Sequence, residues 1–370
     1  MNNNNKIYNL AAVGVQQLIP YKAGKPIEEL ERELGLTQII KLASNENPLG
    51  PGKKALAAIQ GTLSTLALYP DGSGFSLKKV LAEKYGVDEN QITLGNGSNE
   101  LLELVARAFL TPEFEAVFSQ HAFAVYPIVT QAIGAKSVVV PALNYGHDLE
   151  AMLKTVTEKT RLVFIANPNN PTGTLLSQSS LDTFIGALPD TCVCVLDEAY
   201  FEFVNRVETV NSIDWLKKFP NLLITRTFSK AYGLAGLRIG YGFSSPEMAD
   251  ILNRVRQPFN NNTLALVAAE AALGDDEHLQ QTIAVNEQGM QQLTAGFKQL
   301  GLEWIPSAGN FVLVDLKRAG QPIYEALLRK GVIVRPVGNY ELPNHLRISI
   351  GTAAENQQFL EALTNTLANV

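Results

Sequence analysis

Apolar runs of strand length recur between residues 92 and 243, at Ile92 to Leu94, Ala116 to Ser119, Ser137 to Val140, Leu162 to Ala166, Thr191 to Leu196, Leu222 to Thr225 and Ile239 to Phe243. Helical or polar segments separate them. Such alternation predicts an α/β architecture, a large domain with a mostly parallel central sheet flanked by helices. Gln257 to Thr263, with three asparagines and Pro258, breaks the pattern. Beyond it the chain is rich in helical runs, with strand candidates at Phe311 to Asp315, Val332 to Arg335 and Leu346 to Ile350, as expected of a smaller α+β domain. At 370 residues the chain exceeds one ordinary core. The expected organisation is an N-terminal arm over 1–40 that associates with the small domain, a large domain over 41–262 and a small domain over 263–370.

Charge and cysteine usage exclude several classes of function. A net charge of −6 gives no electrostatic footprint for nucleic acid and no polybasic patch for a membrane surface. Met1 to Lys6 is a polar asparagine run without a signal-like apolar core, and no later run approaches a membrane span, so a cytoplasmic location is expected. Cys192 and Cys194 stand two apart in an apolar run and read as buried thiols on one strand face. The four histidines show no metal-ligand spacing, and no metal is expected.

Thr227 to Arg238, Thr-Phe-Ser-Lys-Ala-Tyr-Gly-Leu-Ala-Gly-Leu-Arg, sets a lysine, hydroxyls and an arginine among small residues just after an apolar strand. Ligands bind at strand ends in open α/β sheets, and an amine withdrawn from water there loses basicity and becomes a nucleophile towards an aldehyde. Gly95-Asn96-Gly97-Ser98-Asn99-Glu100 lies between strand and helix. Its exposed N–H groups and the helix dipole favour phosphate, with Ser98 and Asn99 adding polar side chains; taken alone, these two residues read equally as helix caps. Glu100 stands where a dinucleotide fingerprint needs its third glycine. Asp197 and Tyr200 follow the run Cys192 to Leu196, and Asn170 lies in Ala-Asn-Pro-Asn-Asn-Pro-Thr-Gly after the preceding one. An aspartate there can pair with a pyridinium nitrogen, and Asn170 and Tyr200 can hydrogen-bond a phenolic oxygen. Individually, each could also be structural or part of a turn. The loop Lys41 to Pro51, rich in asparagine and proline, is a further functional candidate.

Asn-Pro-Thr-Gly, Asp-Glu-Ala-Tyr and Ser-Lys-x4-Ala-x2-Arg, in this order and each after an apolar strand, resemble the signature of pyridoxal-phosphate-dependent aminotransferases of the aspartate aminotransferase fold. The resemblance implies the cofactor pyridoxal 5'-phosphate, held covalently by Lys230, which also carries the proton during amino transfer. It implies phosphate contacts from Ser98, Asn99, Thr227, Ser229 and Arg238, and ring stacking by Phe123, where the family often has tyrosine. Pro20 to Pro26, Glu28 to Gly35 and Leu42-Ala-Ser-Asn-Glu-Asn-Pro-Leu-Gly50 narrow the resemblance to the histidinol-phosphate aminotransferase family. That family exchanges an amino group between histidinol phosphate and 2-oxoglutarate in histidine biosynthesis. For this chain it implies substrate contacts from Tyr21, Arg335 and Arg347, and a homodimer with a shared active site in which Tyr69 reaches the neighbouring subunit's cofactor phosphate. The small-molecule partners would be an amino donor and a 2-oxo acid.

Other activities fit the same residues. An aromatic amino acid aminotransferase uses the same cofactor apparatus, and the two arginines would serve a plain carboxylate as well. A surface salt bridge is the bland account of both arginines. A nicotinamide-dependent dehydrogenase could use Gly95 to Glu100, and a non-catalytic regulator would keep the fold without turnover.

Overall fold

Strand β1 (Ile40–Lys41) is a two-residue stub. The apolar runs that follow form β2 (Ile92–Gly95), β3 (Glu115–Ser119), β4 (Lys136–Val140), β5 (Thr160–Ala166), β6 (Val193–Asp197), β7 (Leu222–Thr227) and β8 (Gly240–Phe243). These seven make one sheet in the order β2-β8-β7-β6-β5-β3-β4. All neighbours from β7 to β4 are parallel, whereas β8 runs antiparallel to both β7 and β2. The computed structural model describes residues 6–21, 24–204 and 212–369. Residues 1–5 of the asparagine run, and Lys22 and Ala23 between Tyr21 and Pro26, lie outside them.

Both faces of this sheet are buried, because alternate residues of one strand join different cores. Val163 and Ile165 of β5 pack with Cys194 and Leu196 of β6 on one side. Leu162 and Phe164 pack with Val193 and Val195 on the other. Both thiols are free and buried on the first face. Burial pushes the Cys192 thiol up to about 12 and raises that of Cys194 as well, so neither is a nucleophile at neutral pH.

Strands β9 (Glu303–Ile305), β10 (Phe311–Asp315), β12 (Arg335–Pro336) and β13 (His345–Ser349) form a second, antiparallel sheet in the order β12-β13-β10-β9. Its core includes Val312, Val314, Leu346 and Ile348 against Phe297 and Phe359 of two helices. β1 pairs in parallel with β11 (Val332–Ile333), and Ile40 and Leu42 enter this smaller core. Helix Ile27–Leu34, stopped by Gly35 at φ 66, buries Leu30 against Ala43 and Ile333. Helix Val13–Gln16 packs elsewhere: a Cβ on Gly14 would meet the Gln131 carbonyl of helix Val125–Ile133 at 1.9 Å. The boundary expected after residue 262 precedes helix Thr263–Leu273, whose Ala265, Ala268, Ala269 and Leu273 pack into the large-sheet core. The change of core lies within helix Asp276–Gln299, between Leu279 and Leu293. Among the described residues no helix is long and apolar enough to cross a membrane.

Arg226 of β7 is the largest fully buried side chain, and its Nε and Nη2 both lie 2.8 Å from Glu198 Oε2. Its guanidinium carbon sits 3.5 Å from the centroid of the Phe201 ring. Removing one partner of a buried pair strands the other charge. Arg226→Met is expected to destabilise the protein by about 3–5 kcal/mol, read as a lower denaturant midpoint. Arg226→Met with Glu198→Gln should recover part of that loss.

Candidate active site

Parallel pairing brings three strand ends into line. Asp197, the last residue of β6, sits opposite Ala166 of β5 and Thr225 of β7, so the loops after all three strands open on one crevice. A cavity of about 340 Å³ occupies it. Lys230, Asp197, Tyr200 and Asn170 line its floor and walls; Ser98, Asn99, Thr227, Ser229 and Arg238 line one end. Phe123 contributes a face, and Tyr21, Arg335 and Arg347 stand on the small-domain side. Tyr69 lies outside the cavity, 83% exposed, with its ring stacked on Phe259 at 4.8 Å.

The Lys230 amine donates to the Ser44 carbonyl at 2.9 Å. Burial pushes it down to about 8, and Arg347 and Arg238 act in the same direction against the pull of Glu46. A substantial neutral fraction therefore exists near pH 8. Asp197 accepts hydrogen bonds from the Tyr126 hydroxyl at 2.9 Å and Thr225 Oγ1 at 3.1 Å. Burial pushes its carboxyl up to about 6 against the opposing effect of those bonds. Among the described residues no cationic side chain pairs with it. Tyr200 accepts from Asn45 Nδ2 at 2.9 Å, which leaves its own proton available to donate, and burial pushes the phenol up to about 12.

The cavity's anion end is made by backbone. Helix Ser98–Phe109 begins with Gly97 at its N-cap and has no side-chain cap. Ser98 and Asn99 are therefore its first residues, not its caps, and the helix N-terminus points free N–H groups toward this end. Gly97 has φ 76, and a Cβ on it would lie 2.3 Å from Arg238 Nη2, so a glycine lets the guanidinium close on the helix start. Arg238 donates to Ser229 Oγ at 3.3 Å, and Ser229 Oγ accepts from Thr227 Oγ1 at 3.0 Å.

On the small-domain side Arg335 and Arg347 face each other across β12 and β13, both buried. Arg335 opens its strand, where the run Val332 to Arg335 would have closed on it, and Arg347 lies mid-strand. Arg347 donates to Asn170 Oδ1 at 2.6 Å and to the Ala43 carbonyl at 2.5 Å, and its buried Nε has no partner among the described residues. These partners are neutral, which is not the surface salt bridge of the bland account. The Arg335 guanidinium lies 5.6 Å from the Tyr21 ring centroid.

Several residues of the site escaped the sequence. Tyr126 and Thr225 hold Asp197. Asn45 joins Tyr200 to Ser349 of β13, whose hydroxyl donates to Asn45 Oδ1 at 2.9 Å. The asparagine-rich loop signalled Asn45 only as part of a group; Tyr126 had no local signal, since its partner is 71 positions away. Among the described residues no group of three or more His, Cys, Asp or Glu is placed to hold a metal.

The family Aminotransferase class I and II matches residues 37–363. Histidinol-phosphate aminotransferase 2 of Pseudomonas fluorescens is 62% identical over 97% of this chain and 98% of its own. Histidinol-phosphate aminotransferase 1 of Nitrosococcus oceani is 57% identical over 97% of each. The crystal structure of histidinol-phosphate aminotransferase from Sinorhizobium meliloti in complex with pyridoxal-5'-phosphate superposes with a TM-score of 0.91 at 31% identity, covering 97% of both chains.

Proposed function

The chain belongs to the class I and II aminotransferases, and to the histidinol-phosphate aminotransferases within them, and we propose that it transfers an amino group between histidinol phosphate and 2-oxoglutarate using pyridoxal phosphate. The observation that carries the cofactor assignment is Asp197, a buried carboxylate with no cationic partner among the described residues, in one cavity with a lysine amine and an anion cup. A phosphorylated pyridinium aldehyde fits all three. Its phosphate suits Ser98, Asn99, Thr227, Ser229 and Arg238, its ring nitrogen Asp197, its phenolic oxygen Tyr200 and Asn170, and its ring face Phe123. Phenylalanine keeps that stacking face without tyrosine's hydroxyl.

When bound, pyridoxal phosphate would supply an aldehyde for the substrate nitrogen and an electron sink for the carbon beside it. Asp197 would hold the ring nitrogen in its protonated form. Lys230 is the base that removes the proton from the substrate carbon bearing nitrogen and returns it one position away, a shift short enough for a single amine. Arg335 and Arg347 offer guanidinium forks to the carboxylates of glutamate and the phosphate of histidinol phosphate. Burial strengthens both forks, because little water competes for their donors.

A second copy of the chain is part of this proposal. Leu63, Leu66, Leu68, Tyr69 and Phe75 are more than half exposed, as are Ile7, Leu10, Val13 and Ile19 of the arm. Apolar exposure of that extent on two segments suits a partner surface, and a homodimer would carry Tyr69 toward the neighbouring site. A dimer mass in sedimentation equilibrium checks it.

Substrate choice is tested through Tyr21. Tyr21→Phe keeps the ring beside Arg335 and deletes the hydroxyl, which completes a tetrahedral phosphate's shell better than a planar carboxylate's. The apparent KM for histidinol phosphate should rise roughly tenfold or more, the worth of one charge-assisted hydrogen bond, with a smaller change for glutamate. Half-reaction titrations of the cofactor's absorbance measure both. Equal weakening, or a wild type that turns over phenylalanine and ignores histidinol phosphate, would replace this assignment with an aromatic amino acid aminotransferase.

A further inference from the structure

Gln257 to Thr263, the compositional break ahead of helix Thr263–Leu273, holds three consecutive asparagines outside the cavity. Each spends its amide on a different backbone carbonyl. Asn260 Nδ2 donates to Leu94 at 3.3 Å, Asn261 Nδ2 to Gly95 at 2.8 Å and Asn262 Nδ2 to Leu237 at 3.0 Å. Leu94 and Gly95 lead into the glycine loop before Ser98, and Leu237 immediately precedes Arg238. The two walls of the anion cup, distant in sequence, are thus tied to one short segment.

Further bonds stiffen the arrangement. Glu100, which occupies the place of a third glycine, accepts from the Asn96 backbone N–H at 2.5 Å and from Asn260 Nδ2 at 2.6 Å. Asn96 Nδ2 returns a bond to the Asn260 carbonyl at 3.1 Å, and Arg256 Nη1 donates to Asn260 Oδ1 at 2.6 Å. Phe259, directly before the run, has φ 56, a conformation bulky residues rarely adopt and that persists where the surroundings demand it. Asn261 is 4% exposed and its Oδ1 has no partner among the described residues. A buried orphan acceptor costs stability, so asparagine at 261 is poorly explained by stability alone.

We propose that Asn260, Asn261 and Asn262 are positioning residues that set the width of the anion cup, and with it the protein's preference for a phosphorylated ligand, without touching that ligand. The proposal rests on the assignment of the cup to the cofactor phosphate. The test is absorbance titration of apoprotein with pyridoxal 5'-phosphate and, separately, with pyridoxal, which lacks the phosphate. Asn261→Ala removes the tie to Gly95. Asn262→Ser removes the tie to Leu237 and retains a good cap for the next helix, where Asn262 Oδ1 now accepts from the Ala265 N–H.

Each variant should bind pyridoxal 5'-phosphate about tenfold more weakly than wild type, with pyridoxal affinity changed by less than about twofold. A wild type with no preference for the phosphorylated form would overturn the cup assignment itself. A preference present in wild type and undiminished in both variants would overturn the positioning role alone. Equal losses for the two ligands, or failure of both variants to fold, would assign the asparagines to stability and overturn it as well.

Discussion

Lys230→Ala is expected to abolish turnover while the protein still folds. Among the described residues the amine makes one hydrogen bond, to the Ser44 carbonyl, and its charged form is disfavoured by burial and by Arg347 and Arg238. Its removal relieves that repulsion and leaves the anion cup, Asp197 and Phe123 in place. Cofactor should therefore still enter the cavity, while the covalent link and the proton carrier are both lost. General acid–base catalysis alone contributes about 10²–10⁴-fold, so a loss on the order of 10⁴-fold or more is expected in steady-state rate. Borohydride reduction followed by mass measurement should fix cofactor on the wild-type chain and not on the variant. Because the neutral amine is the attacking form and titrates near pH 8, covalent uptake of cofactor by wild-type apoprotein should accelerate as pH rises through that value. Multiple turnover by Lys230→Ala near the wild-type rate would sink the assignment.

What the sequence made legible was whatever local pattern encodes. The strands of the large sheet stood out because burial on both faces makes them uninterrupted apolar runs, as in Leu162 to Ala166. The direction of β8 was not legible, since an antiparallel strand buried on both faces reads like a parallel one. β1 and β9, two and three residues long, are too short to carry a period. Helix Thr263–Leu273 follows a strong compositional break, yet its alanines fill the large core. An asparagine-rich loop marks a bend in the chain, and here that bend holds the anion cup. In the site, residues inside motifs were nameable because each motif carries its own chemistry. Tyr126, Thr225 and Asn45 were not, because they act through Asp197 and Tyr200 across sheet order and across the two sheets. The register that sets Arg335 opposite Arg347 is likewise a property of pairing and not of either strand.

Asp197→Asn is expected to move catalysis and stability in opposite directions. The Asp197 carboxyl titrates at about 6 in the folded protein, against an ordinary 3.8. A raised carboxyl pKa favours the folded state below pH 3.8, and that contribution fades as pH rises through 6. Above pH 7 the buried carboxylate costs the apoprotein on the order of 3 kcal/mol, at about 1.4 kcal/mol per pH unit. Asparagine has the same shape and no charge, and the Tyr126 and Thr225 hydroxyls can turn to suit an amide. The variant apoprotein should thus melt no lower than wild type at pH 8, and its melting temperature should exceed wild type's by less at pH 5. Catalysis should fall by roughly 10²–10³-fold or more, because an amide cannot balance a ring cation and the electron demand on the substrate weakens. Cofactor affinity in wild type should rise as pH increases through about 6, when the carboxylate forms, and the variant should lack that rise. Calorimetry of the apoprotein, cofactor titration between pH 5 and 8, and single-turnover rates measure the three effects separately. A less stable apoprotein with normal turnover would mean that Asp197 is a structural aspartate and that another group faces the ring nitrogen.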